Sequence, residues 1–307
     1  MALASDDTST TSETITFVSQ GSRLVGDLHF PQGNGTPLPA VIILGPMTFQ
    51  RKQAPTEYAR RLAASGFAAL AFDPRYRGDS EGEPRCLENP LAKVEDVRAA
   101  VDALTTRAGV AAEAVYAFAV CQGCSAMLRA ATDDSRLKAL FTVAGHYRDH
   151  DADVQWIGSE EALTTRREKG EAALEKFQST GEIEYVPAID PERMDVGMPG
   201  QFVWEWYHPW SDRGLWENRY PVMSDAHLLR YESLSAAQRL DKPWLMVHSD
   251  NSFLPDAARR QFEAALGEKH LEWEGETAHF QYYDDPVVLD RTAARAADWF
   301  RAHKDRS

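Results

Sequence analysis

Val115-Tyr116-Ala117-Phe118-Ala119-Val120-Cys121-Gln122-Gly123-Cys124-Ser125 passes from an apolar run straight into a turn that opens a helix. A short run that is apolar on both faces, rich in β-branched and aromatic side chains, reads as a buried parallel strand. Ala119, Cys121 and Gly123 then follow the pattern small-x-nucleophile-x-small. A strained strand-to-helix elbow needs that spacing, because neighbouring backbone passes close to the positions two before and two after the nucleophile. A helix beginning at Gln122 would point its N-terminus at the sulfur, so the expectation is a lowered thiol pKa. The competing reading is a buried, inert cysteine. Strand context and spacing together favour the nucleophile.

Strand and helix patterns alternate on both sides of this stretch. Thr14–Val18 and Leu24–Phe30 read as two strands joined by Gln20-Gly21-Ser22, a hairpin link. Ala40–Leu44 and Phe67–Phe72 read as strands, with a helix over Pro55–Ser65 between them. Leu91, Val94, Val97, Val101 and Leu104 form a helical stripe, and Leu137–Ala144, Trp244–His248 and His270–Glu274 complete the strands. Ala258, Phe262 and Leu266 mark one helix, and Leu289, Ala293, Ala296 and Phe300 the closing one. Such alternation specifies an α/β architecture, a mostly parallel sheet with helices on both faces. It is broken from His146 to about Asp241, by a charged helix over Ser159–Gln178 and then Trp204, Trp206, Tyr207, Trp210, Trp216 and Tyr220. The expected organisation is a core of residues 1–145 and 242–307 with an inserted, Trp-rich helical cap of residues 146–241.

In an open α/β sheet, ligands bind at the carboxyl ends of the strands. After the last strand comes Glu274-Gly275-Glu276-Thr277-Ala278-His279-Phe280, which puts His279 where a general base would stand. After Trp244–His248 comes Ser249-Asp250-Asn251-Ser252, and Asp250 is the nearest carboxylate to orient the imidazole. Asp149 and Asp151 are the alternatives. Two backbone N–H groups must stabilise an oxyanion. Gln122 supplies one. In Gly45-Pro46-Met47-Thr48-Phe49, Pro46 cannot donate, so Met47 is expected to supply the other. Trp204, Trp206, Tyr207 and Trp210 are the candidate substrate-binding aromatics. The alternative is that they only pack the cap on the core.

The 307 residues hold 33 Lys and Arg against 47 Asp and Glu, a net charge of −14, which disfavours nucleic acid or an anionic membrane as partner. No apolar run approaches the ~18 residues of a membrane span. Met1–Glu13 lacks the basic and apolar regions of a secretory leader. Three cysteines fit a reducing compartment, so a cytoplasmic location is expected. Cys121 and Cys124 form a lone C-x-x-C, which leaves a redox protein as a second reading and a non-catalytic binding scaffold as a third. His146, Asp149, His150 and Asp151 form a mixed polar loop; with no second ligand cluster, neither a metal nor another cofactor is expected. The expected partner is a small-molecule acyl substrate, with a homodimer left open.

The elbow at Cys121, and the His279-Phe280 loop with Tyr283-Asp284, resemble those of α/β-hydrolases, specifically the dienelactone hydrolase-like members with a cysteine nucleophile, including polyketide-processing transferases and hydrolases. Gly45-Pro46 with Gln53, Phe72-Asp73 through Pro84-Arg85, Asp134–Ala139 and Gly145–Asp149 support the resemblance, which spans about Thr14 to His303. It implies an eight-stranded sheet, a Cys121–His279–Asp250 triad, and hydrolysis or transfer of an ester, lactone or thioester acyl group through an acyl-enzyme. The chain departs from the pattern at Ala119 and Cys124, where glycine is common, at Met47-Thr48-Phe49, where relatives are often glycine-rich, and at Ser252, a frequent position of the acid.

Overall fold

A computed structural model describes residues 10–33 and 36–304. The reading of the leader region therefore lies outside the described residues up to position 9, while Thr10–Glu13 belong to the first strand. Eight strands form one sheet: β1 (Thr10–Ser19), β2 (Ser22–Pro31), β3 (Leu38–Leu44), β4 (Ala68–Asp73), β5 (Val110–Val120), β6 (Leu137–Val143), β7 (Trp244–His248) and β8 (Lys269–Trp273). Their spatial order is β1-β2-β4-β3-β5-β6-β7-β8. The β1–β2 and β2–β4 pairs are antiparallel, and every other pair is parallel. Gln20 and Gly21, both at positive φ, make the two-residue turn between β1 and β2.

Strand alternation divides the core into two layers. Val41 and Ile43 of β3, with Tyr116, Phe118 and Val120 of β5, face α1 (Ala54–Ala64) and α11 (Pro286–Ala302), which follows the one-turn α10 (Gln281–Asp284). Ile42 and Leu44, with Val115, Ala117 and Ala119, face α2 (Pro90–Thr105), α3 (Gly123–Asp133) and α9 (Pro255–Ala264). The helix starts follow local chemistry. Asn89 caps α2 by accepting the Leu91 and Ala92 N–H groups, and Asp285 caps α11 in the same way, each followed by proline at the first helical position. Leu91 and Leu266, expected on inner helical stripes, are exposed; Leu266 lies past the end of α9.

Between β6 and β7 the chain leaves the sheet. This segment holds α4 (His150–Ile157), α5 (Glu160–Thr180), α6 (Gln201–Asp212), α7 (Ser224–Leu228) and α8 (Leu234–Ala237), with two short strand pairs. Ser159 caps α5. Val203, Trp206, Tyr207 and Trp210 of α6 pack against the sheet layer that contains Cys121. The short α8 packs instead with α3 in the opposite layer, so the end of the insertion is built into the core. Among the described residues no helix is long and apolar enough to cross a membrane.

Candidate active site

Cys121 sits between β5 and α3 with φ of 52°, a left-handed conformation disfavoured for any residue with a side chain. The surrounding backbone holds it there: its N–H donates to the Val143 carbonyl at 3.2 Å, and its carbonyl accepts the Cys124 N–H at 3.0 Å. Gly123 is obligatory. A Cβ at that position would lie 2.4 Å from the Gly45 carbonyl oxygen and 2.7 Å from that of Leu44. The elbow therefore touches the loop after β3 directly, backbone on backbone.

That contact brings the Met47 N–H to the sulfur. The backbone N–H groups of Gln122 and Met47 both hydrogen-bond toward Cys121 Sγ, which marks the position an oxyanion would take beside it. The loop is held from two sides. The Thr48 N–H donates to Glu88 Oε1 at 2.9 Å, and buried Glu88 pairs with Lys93 at 2.6 Å and with Arg77 at 3.6 Å. From the insertion, the Tyr207 hydroxyl donates to the Met47 carbonyl at 3.0 Å, and the Trp216 indole N–H to the Thr48 carbonyl at 2.7 Å.

Cys121 is only 5% exposed, and burial pushes its thiol pKa up. This corrects the expectation of a lowered pKa. The Tyr283 hydroxyl and the two N–H groups favour the thiolate, but desolvation outweighs them. His279, in the loop after β8, is buried and held neutral. Burial comes first, then repulsion by His248 and His146, driving its pKa well below the usual value. Its Nε2 lies 2.9 Å from the Tyr283 hydroxyl, and the Phe253 N–H points at its Nδ1 at 3.4 Å. Cys121 and His279 are thus linked through Tyr283.

The acid is corrected. Asp250 points to solvent, its side chain 59% exposed, and pairs with Arg259 at 2.7 Å. The Arg259 hydrogen bond, with a second from Trp273, lowers its pKa. Asp149 caps α4 through the Ala152 N–H and pairs with Arg260. Asp151 is exposed on α4. Ser252 accepts a hydrogen bond from the Ser249 hydroxyl. Among the described residues no carboxylate bonds either ring nitrogen of His279; the Phe253 N–H takes that place.

A cavity of about 330 Å³ opens on Cys121. Of the four aromatics expected to bind substrate, only Tyr207 lines it. Trp206 stacks on Phe280 and donates to Asp284 at 3.0 Å, Trp204 meets His208, and Trp210 is covered by Arg213. These three pack the insertion rather than face the cavity. The walls come instead from Trp156, Met198, Phe202, Phe253, Phe280 and Tyr283. A second cavity of about 520 Å³ shares Trp156, Met194 and Pro199 with the first.

The contacts of Tyr283 with Cys121 and His279, and the place of His146 in the cavity wall, were not read from the sequence. The four-residue step from His279 to Tyr283 is a readable signal, since it brings side chains together on a helical turn. Cys124 packs in the opposite core layer from Cys121, its thiol toward the Val143 carbonyl. Among the described residues no group of three or more His, Cys, Asp or Glu side chains is arranged to hold a metal ion. His150 pairs with Glu160.

No family model matches the sequence. The uncharacterized protein PA2218 of Pseudomonas aeruginosa is 26% identical over an alignment of 303 residues, covering 91% of this chain and 78% of that one. Its crystal structure gives a TM-score of 0.82 at 25% identity, over 97% of this chain and 95% of that one. Thiohydrolase aneE of Aspergillus aculeatus is 28% identical over 158 residues, 49% of each chain, so this chain spans about half of that protein. The α/β hydrolase GrgF from Penicillium sp. sh18 gives a TM-score of 0.78 at 21% identity, over 96% of this chain and all of that one, 100%. Dienelactone hydrolase from Anabaena variabilis gives 0.59 at 14% identity, over 96% and 99%.

Proposed function

We propose that this chain, an α/β-hydrolase by fold with a dienelactone hydrolase among its structural neighbours, cleaves thioesters or esters of an apolar acyl group through an acyl-Cys121 intermediate. The observation that carries the reading is the convergence of two backbone N–H donors on a sulfur that opens into an apolar cavity. The likeness to a thiohydrolase over half its length favours a thioester.

The resting pair is a neutral thiol and a neutral imidazole, both set by burial. The Phe253 N–H reaches Nδ1 at 3.4 Å, long for a hydrogen bond, and in this mechanism the ring gives up that weak contact to carry its proton on Nδ1 and accept at Nε2. The thiol proton then passes to the Tyr283 oxygen as the Tyr283 proton passes to His279 Nε2. Sγ attacks the acyl carbonyl, and the oxyanion accepts from the Gln122 and Met47 N–H groups. Collapse breaks the bond to the leaving thiolate or alkoxide, which takes its proton back along the same path. Water then attacks the thioester of Cys121, with His279 as base, releasing the acid and restoring the thiol. A thiol ionises more readily than a serine hydroxyl, so the missing carboxylate costs less here.

The test is intact-protein mass spectrometry after brief exposure to a hexanoyl N-acetylcysteamine thioester and a p-nitrophenyl ester. A hexanoyl adduct on native protein and Cys124→Ala, absent from Cys121→Ala, is expected. No adduct and no turnover of either donor overturns the reading.

A further inference from the structure

The walls of the Cys121 cavity are largely apolar, yet His146 is among the residues that line it, and its fully buried Nε2 is bonded by no protein group. His146 is 4% exposed. A buried, unsatisfied ring nitrogen is a liability unless a ligand completes it. The backbone that carries the ring is fixed. The His146 carbonyl accepts the Ser125 hydroxyl at 3.0 Å, and the Gly145 carbonyl bonds His248 Nε2 at 3.1 Å. On its other side the imidazole meets the Trp156 ring edge-on, centroids 5.0 Å apart. Burial and the nearby Arg148 charge keep it neutral. A neutral imidazole has one N–H donor and one lone pair, so it can donate to a ketone oxygen or pair with a hydroxyl in either direction.

We infer that His146 is the polar anchor of the acyl site: it hydrogen-bonds an oxygen substituent, carbonyl or hydroxyl, on the acyl chain, and so selects oxygenated acyl groups over plain alkanoyl groups of equal length. This rests on the acyl-enzyme reading for what enters the cavity, and on the geometry of His146 for how it is recognised.

Binding is measured by calorimetry with Cys121→Ala, which cannot turn over. The probes are the hexanoyl N-acetylcysteamine thioester and a panel of oxohexanoyl thioesters with the ketone at successive carbons. At least one ketone is expected to bind about tenfold tighter than hexanoyl, the scale of one well-placed hydrogen bond. In Cys121→Ala with His146→Phe, which keeps a ring against Trp156, that preference falls to about twofold or less. Should the Phe variant not fold, NMR of the imidazole nitrogens in Cys121→Ala replaces it, with a His146 shift expected for the preferred ketone and not for hexanoyl. Equal affinities, absence of binding, a preference that survives His146→Phe, or an unmoved His146 signal overturns the inference. The two readings fail separately: ketone preference without an acyl adduct on native protein keeps the His146 site and rejects the acyl-enzyme, and an adduct without preference does the reverse.

Discussion

The Tyr283 hydroxyl lies 2.9 Å from Nε2 of His279 and reaches the Cys121 sulfur on its other side. The imidazole therefore reaches the Cys121 sulfur through a phenol.

Tyr283→Phe should slow single-turnover acylation of Cys121 by about 100-fold, the lower end of what a positioned proton-transfer group contributes. Asp250→Asn, which loses only an exposed pair with Arg259, should change the same rate by about twofold or less. Stopped-flow acylation of the two variants checks this. A large loss in Asp250→Asn would restore that residue as the acid.

The thiol of Cys121 is pushed up by burial, so its thiolate population grows only at alkaline pH. Alkylation of Cys121 by iodoacetamide, followed against pH, should show its midpoint above that of free cysteine in the same buffer. A midpoint below it would mean that the two N–H groups and the helix N-terminus outweigh desolvation.

Stability should fall on mild acidification. Burial holds His29 and His248 each at about 4 against 6.5 when unfolded, so the unfolded chain takes up protons that the native state refuses. The loss begins as pH drops through the unfolded value, and reaches about 3 kcal/mol for each group once pH is below the folded one. Buried His146 and His279 act in the same direction. Asp153 opposes them: held up at about 6, it takes its proton first in the native state and adds stability as pH falls. Urea midpoints at about pH 7 and about pH 5 should show the net loss. Equal midpoints would refute it.

Gly123→Ala would drive a Cβ into the Gly45 carbonyl, 2.4 Å away. Since backbone lies on the far side, relief requires the loop carrying Met47 to move. The variant should lose more than about 2 kcal/mol of stability in a denaturant titration. Its refolded fraction should also acylate more slowly than native protein. Unchanged stability would show that the two loops are not locked together.

The strand β5, the elbow and the position of His279 were legible because each rests on local pattern: a two-sided apolar run, small residues at fixed spacing, and a loop before the last helix. The acid was not. Whether Asp250 turns inward or outward depends on Arg259, which α9 delivers from nine residues further on. Nor does composition say which face of α6 meets a cavity. Tyr207 reaches it, while Trp206, on the next position, is spent on Phe280 and Asp284. The direction of the Cys121 shift was misread because helix geometry is visible in sequence and depth of burial is not. His146 was weighed only as a metal ligand, since its isolation in an apolar wall is a property of the folded cavity.

The hydrogen bonds from Tyr207 and Trp216 to the Met47 and Thr48 carbonyls bear on any attempt to exchange parts. A chimera that replaces the segment between β6 and β7 to reshape the cavity would also strip two donors from the loop that carries the Met47 N–H. The segment that contributes Tyr207 to the cavity wall thus also braces the loop beside Cys121, and a graft must bring its own hydroxyl and indole to those carbonyls to keep that loop in place.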